Sequence, residues 1–180
     1  MRAFIRIGTA SALVALAVAL SGCATPADKS AMTVSAPAAA GKQHPFSVSV
    51  ATSGGSDTGA LESSNIGNAD LKAAIEASIK ETRLFKEVVQ GKDGQYELSV
   101  TVIQLSKPSF GFSFTVELEA GWTLVRASDK QIVLRKAIKS TGTAGMGEAF
   151  AGVVRLRLAV ESAAKANIAQ GLAAIGEMKI

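Results

Sequence analysis

Few side chains in this chain could carry chemistry. It holds one cysteine, Cys23, and one histidine, His44. Nucleophilic catalysis needs a nucleophile, a base within hydrogen-bond reach and a group to orient that base. His44 precedes Pro45 in a stretch of small residues, with no partner near it in sequence. No catalytic residue is assigned, so the protein is not expected to be an enzyme. A transition-metal site draws on clustered Cys and His ligands, and a second Cys or His is lacking, so neither metal nor cofactor is expected.

Three other groups carry charge or aromatic surface in a pattern. Glu117 and Glu119 fall on the same side of an alternating segment, beside Thr115. Paired carboxylates can raise one another's pKa, but on a solvated strand face they more often keep sheets from associating. Phe110, Phe112, Phe114 and Trp122 occupy even positions of one alternating run. They form either a core row under helices or an apolar ligand face, and the core reading is favoured. Between Arg126 and Arg157 lie seven basic residues against Asp129 and Glu148. Arg126, Arg135, Lys136 and Lys139 of that group are the candidates for an anionic partner such as lipid phosphate. Gly54 and Gly59 have the spacing of a phosphate loop, but Ala60 and Leu61 stand where its lysine and hydroxyl belong, so a solvated loop is expected.

The elements that must position these residues begin with a targeting segment. Of 180 residues, the first 22 comprise a short positive region with Arg2 and Arg6, then an apolar run from Ala10 to Leu20. That run is shorter than the roughly 20 residues that span a bilayer. The net charge of +4 falls toward neutral once Arg2 and Arg6 are removed. No clustered basic patch with a reading motif is present, so nucleic acid is not an expected partner.

Leu20-Ser21-Gly22-Cys23 resembles the lipobox of bacterial lipoproteins. The resemblance implies cleavage before Cys23, diacylglycerol on its sulfur (palmitate-type chains) and a further acyl chain on the new amino group. Several chains hold a protein on a membrane where one binds only marginally. Ala24 at the following position resembles the outer-membrane default of enteric sorting. The expected location is therefore the periplasmic side of the outer membrane, with the inner membrane as the alternative.

Residues 23–43 are small, Pro-containing and aperiodic, and read as the lipidated N-terminus and a flexible tether. One domain is expected over residues 44–180. Phe46, Val48 and Val50 alternate as a first strand. Asn68 is a helix cap, and Leu71, Ala74, Ile75, Ser78 and Ile79 give that helix an apolar face ending near Arg83. Leu84 to Val89 form a short strand or turn, and Tyr96 to Val102 alternate as a strand. The long run from Phe110 to Leu124 is another, and Gln131 to Ser140 return after a Ser128-Asp129-Lys130 hairpin turn. A glycine-rich loop, 141–147, precedes a C-terminal helix marked by Val153, Leu156, Val160, Ala164, Ile168, Leu172 and Ile175. The order β-α-(β)-β-β-β-α predicts an α+β domain: an antiparallel sheet of about four strands with two helices on one face.

The segment from Leu71 to Val102, with Thr82-Arg83-Leu84-Phe85 and then Tyr96-Glu97-Leu98-Ser99-Val100, resembles small envelope lipoproteins. These are the lipopolysaccharide-assembly lipoprotein LptE, YajG and the auxiliary lipoproteins of ABC-type lipid transporters. The resemblance implies the fold and an envelope location, not an activity. The leading expectation for function is a non-enzymatic binding or accessory subunit, with an envelope transport or assembly complex as one setting for it. Its partner would be an envelope protein, a lipid or a glycan. The alternatives are a structural lipoprotein that self-associates through its sheet edge and, ranked last, an enzyme with an unrecognised site.

Overall fold

The computed structural model of the chain describes residues 25–35, 43–59 and 63–180. Its strands are β1 (His44–Ser53), β2 (Phe85–Val89), β3 (Tyr96–Ser106), β4 (Phe114–Arg126) and β5 (Ile132–Ala144), in the spatial order β2-β1-β3-β4-β5. Its helices are α1 (Lys29–Met32), α2 (Asn68–Thr82) and α3 (Gly152–Gly176). The fold is α+β, as expected, but the sheet has five strands and is mixed. β1 is parallel to both β2 and β3, while β3, β4 and β5 are antiparallel in turn.

The parallel pairs follow from the connections. α2 carries the chain back along the sheet, so β2 must start level with the start of β1, with His44 opposite Phe85. Residues 90–95 then cross β1, and β3 begins on its other side with Tyr96 opposite Val48. Gly94 permits that crossing: a Cβ there would lie 2.4 Å from the Ser49 nitrogen. Gln95 secures it, donating its backbone N–H to Ser47 Oγ (3.1 Å) and accepting the Ser47 N–H at Oε1 (3.1 Å).

α2 packs over β1 and α3 over β4 and β5, while α1 wedges between the two helices. In β4 the even residues Phe114 to Leu124 are buried beneath this layer and the odd ones point to the bare face. Trp122 is fully buried; its indole N–H donates to Asn167 Oδ1 (2.9 Å), and the Asn167 amide donates to Ile138 O (2.9 Å) and Ser140 Oγ (3.2 Å). This satisfied polar network fixes α3 against β4 and β5.

Several local expectations are corrected. The run of alternating aromatics is not one strand: β4 begins at Phe114, and Phe110 and Phe112 stand outside it at 88% and 82% exposure. Lys107-Pro108 ends β3, and the chain turns through Gly111 at φ +151° before pairing resumes. β5 extends to Ala144, absorbing half of the stretch read as a glycine-rich loop. Gly142 allows this because its Cβ would sit 2.2 Å from the Ala163 nitrogen of α3. The cap of α2 is Gly67; Asn68 is the first helical residue, and its side chain instead clamps Gly55, accepting the N–H (2.9 Å) and donating to the carbonyl (3.3 Å). Arg83 closes the helix in the left-handed conformation at φ 53°.

The tether reading fails for part of its length. Ala27, Met32 and Val34 belong to the core, and Met32 is fully buried. Asp28 caps α1 through the Ser30 N–H (2.6 Å), and its own N–H donates to Glu161 Oε1 (2.9 Å). The Val34 N–H donates to Ser78 Oγ (2.9 Å). Three apolar residues among small ones are enough to fill the seam between two helices. His44, expected at the edge of a tether, opens β1 and is buried against Phe85, with Nε2 3.0 Å from Ile175 O. It is a core residue tying β1 to the end of α3.

Candidate functional site

The sheet has one covered and one bare face. Gln104, Ser106, Glu117, Glu119, Lys139 and Thr141 of β3, β4 and β5 line a hollow of about 540 Å³ together with Leu118, Ser140 and, from α3, Ala166 and Gln170, so the hollow is not confined to the bare face. A bulge in β3 between Val102 and Gln104 turns Gln104 toward Glu119 and Ser106 toward Glu117. Glu119 and Lys139 are direct cross-strand partners joined at 3.5 Å (Oε2 to Nζ), with the lysine 80% exposed. Such a pair contributes about 0–1 kcal/mol and leaves both groups available to a ligand. Thr115 and Thr143 hydroxyls meet at 3.0 Å on the same face. These groups can donate and accept hydrogen bonds and hold one pair of opposite charges. No histidine or cysteine joins them, and among the described residues no cluster of metal-ligating side chains occurs.

The candidate cations do not form one patch. Arg135 and Lys139 lie on the bare face of β5 and are exposed, flanking Ala137. Lys136 points to the opposite face, paired across the ladder with Trp122. Arg126 sits at the far end of β4, 3.0 Å from Asp129. Tyr96 and then Asp129 push the Arg126 pKa up. Asp129 in turn accepts the Gln131 N–H at 3.1 Å, which with Arg126 holds its carboxyl below the usual value. Of the other basic residues, Arg157 pairs with the buried Glu161 (3.7 Å). Arg155 is itself buried and turned inward.

The aromatic group divides in the same way. Phe114 and Trp122 are core and unavailable to a ligand. Phe110 and Phe112 are fully outside and would have to act with other surface groups. Sequence reasoning misses those partners, Met146 and Phe150, which are 51% and 87% exposed in the loop before α3. Two apolar residues among Gly, Glu and Ala carry no periodic signal. The glycine loop after β1 is structural: Gly54, at φ +74°, presses on the Val102 carbonyl, where a Cβ would sit at 2.2 Å. Cys23, Ala60 and Leu61 lie outside the described residues.

No helix among the described residues is long and apolar enough to cross a membrane. No protein-family pattern matches the chain, and no curated protein matches it. Solved structures do share its fold. Protein XCC0632 from Xanthomonas campestris, of family DUF330, superposes with a TM-score of 0.61 at 12% identity, over 78% of this chain and 89% of that one. A PelC dodecamer from Paraburkholderia phytofirmans gives 0.51 at 14% identity, over 76% and 90%. A candidate lipoprotein from Caulobacter crescentus gives 0.50 at 13%, over 72% and 87%. At these identities the likeness is one of fold: this chain shares the mixed-sheet α+β architecture of proteins that include a candidate lipoprotein.

Proposed function

We propose that the chain is a cell-envelope lipoprotein, anchored through Cys23, that works by binding a partner and performs no chemistry of its own. The observation that carries this reading is the uncovered sheet face. A sheet that buries one side under three helices leaves the other bare, and Glu117, Glu119, Lys139 and Thr141 help line a hollow shared with Ala166 and Gln170 of α3. Beside it, β5 is paired on one side only, so a 13-residue edge offers its backbone groups to a further strand. Arg135, and Lys139 beyond its pair with Glu119, stand exposed there and can meet an acidic group on an envelope protein, or lipid or glycan phosphate. The lipobox-like tetrapeptide and Ala24 support the periplasmic side of the outer membrane. The likeness of fold to a candidate lipoprotein supports the envelope setting.

Photo-crosslinkers at Thr141 and Thr143, in cells labelled with a fatty-acid probe, test the reading. Labelling lost in Cys23→Ala, with crosslinks to another envelope component that weaken in Arg135→Glu/Lys139→Glu and at high salt, is the expected result. Labelling that survives in Cys23→Ala refutes the anchor. Crosslinks to further copies of the chain alone favour the second reading, a self-associating structural lipoprotein. PelC, a protein of similar fold that occurs as a dodecamer, gives that reading its support.

A further inference from the structure

Among the described residues six large hydrophobic side chains stand exposed, and four of them (Phe110, Phe112, Met146 and Phe150) share one end of the molecule. That end is where β1 and β3 finish, β4 begins, β5 finishes and α3 starts. The two loops are locked together by one side chain. Arg155, 6% exposed, donates from Nη1 to the carbonyls of Ala149 (3.0 Å) and Phe150, and from Nη2 to that of Gly111 (3.4 Å). Its guanidinium also lies 5.5 Å from the centre of the Phe114 ring. A buried cation spent on three loop carbonyls holds the exposed aromatics in place. Exposed apolar residues gathered this way mark a contact surface.

A second observation identifies what that surface meets. The described chain starts at the same end. The Thr25 carbonyl accepts from Ser64 Oγ (2.8 Å), the Ala27 N–H donates to Asn65 O (3.2 Å), and Lys107 Nζ donates to Ser64 O (3.0 Å). Lys107 closes β3 three residues before Phe110, and Cys23 precedes Thr25 by two residues, a reach of at most about 7 Å. From Thr25 the chain runs inward over the helices, so no long tether separates the anchor from the domain.

We infer that this end is a membrane-contacting tip: Phe110, Phe112, Phe150 and Met146 enter the lipid interface beside the acylated Cys23 and fix the domain's orientation on the bilayer. Exposed Phe and Met side chains gain by burying apolar area at the headgroup–acyl boundary, and a second attachment beside an acyl anchor converts a swivelling tether into a seated domain. The inference rests on the lipoprotein reading for the position of the lipid, and on the tip residues independently of it. With the tip seated, the bare sheet face and the β5 edge stand along the membrane normal, open to a partner.

The test uses the full chain. Ser109→Cys and Gly147→Cys put single free thiols beside the aromatics without removing any of them, and Lys130→Cys places one in the hairpin at the opposite end. Each carries an environment-sensitive dye, and the lipidated protein is reconstituted in phosphatidylethanolamine–phosphatidylglycerol vesicles with or without brominated acyl chains. The expected result is blue-shifted emission at 109 and 147, quenched by brominated lipid, with 130 unchanged. Phe110→Ser/Phe112→Ser/Phe150→Ser should abolish the shift while the protein still floats with the vesicles. Dyes at 109 and 147 as aqueous as at 130 on co-floating protein overturn the tip and leave the anchor standing. A blue shift that brominated lipid does not quench also overturns it, because the tip then meets protein. Absence of fatty acid on Cys23 refutes the anchor alone, and quenching of the same dyes on Cys23→Ser protein mixed with vesicles then decides for or against the tip.

Discussion

Gly171→Ala tests the packing that fixes α3 on the sheet. A Cβ at Gly171 would lie 2.4, 2.5 and 2.6 Å from Trp122 Cε2, Cζ2 and Cδ2. Ordinary carbon contacts are about 3.5–4.0 Å, so the overlap is roughly 1 Å against three ring atoms. The ring has nowhere to go: it is fully buried, and its N–H is held by Asn167 at 2.9 Å. Overpacking of this kind costs about 1–3 kcal/mol, and the severity here places it at the upper end. Alanine's helix propensity offsets about 0.5–1 kcal/mol. A net loss of about 2 kcal/mol should follow, or roughly 4–8 °C in Tm for a domain of this size. Urea unfolding followed by far-UV circular dichroism, on the chain starting at Ala24, measures it. Gly152→Ala, whose Cβ meets nothing closer than 3.7 Å, serves as the control and should be neutral or slightly stabilising. Trp122→Leu removes the ring, so in that background Gly171→Ala should lose most of its cost, a coupling of about 1 kcal/mol or more. If Gly171→Ala stabilises the protein as it would on an exposed helix, the close approach of α3 to Trp122 is wrong.

The two halves of the aromatic row should respond oppositely: Val116→Asp, at a fully buried position of β4, should prevent folding, while Phe112→Asp should shift stability by less than about 0.5 kcal/mol in the same unfolding assay. Arg155→Met removes the charged donor to three loop carbonyls, at a cost of about 2–3 kcal/mol, and limited proteolysis should then cut near 108–113 and 145–151 before the rest of the domain opens. The hairpin at Asp129 should loosen in acid. Its carboxyl is held below the usual value by the Gln131 N–H and Arg126, so its contribution is complete above the ordinary carboxylate pKa and is lost as pH falls through the depressed one. Hydrogen exchange at the Gln131 amide, with Asp129→Asn as the pH-insensitive comparison, reads that loss.

The elements that strict periodicity marks are legible in the amino-acid sequence alone. The α2 face of Leu71, Ala74, Ile75, Ser78 and Ile79 is buried as its spacing requires, and so is the α3 stripe from Leu156 to Ile175. The alternation of β4 is equally faithful from Phe114 onward. Periodicity misleads where alternation continues past the ladder. Phe110 and Phe112 keep the phase of β4 without a neighbouring strand, because Pro108 has already ended β3. Phase alone does not register whether a partner strand exists. The mixed sheet is hidden for a related reason: Gly94, which lets the chain cross β1, is one glycine in an ordinary turn.

Residues 25–34 show a different blind spot. Their composition is that of a linker, and composition averages over the three positions that matter, Ala27, Met32 and Val34. The seam between α2 and α3 needs only these, together with acceptors at Glu161 and Ser78 that stand more than 40 residues away. Long-range acceptors leave no trace in a local window. The same distance problem conceals the clustered loops: Gly111 and Phe150 meet only because Arg155 reaches both carbonyls, and no spacing rule links positions in two separate loops. In sequence Arg155 stands among surface cations and shares their pattern. Buried, it is instead the residue that turns two unrelated loops into one surface beside the start of the described chain. With that surface seated on lipid, the orientation of the domain on a membrane is a property of the fold and not of its charge.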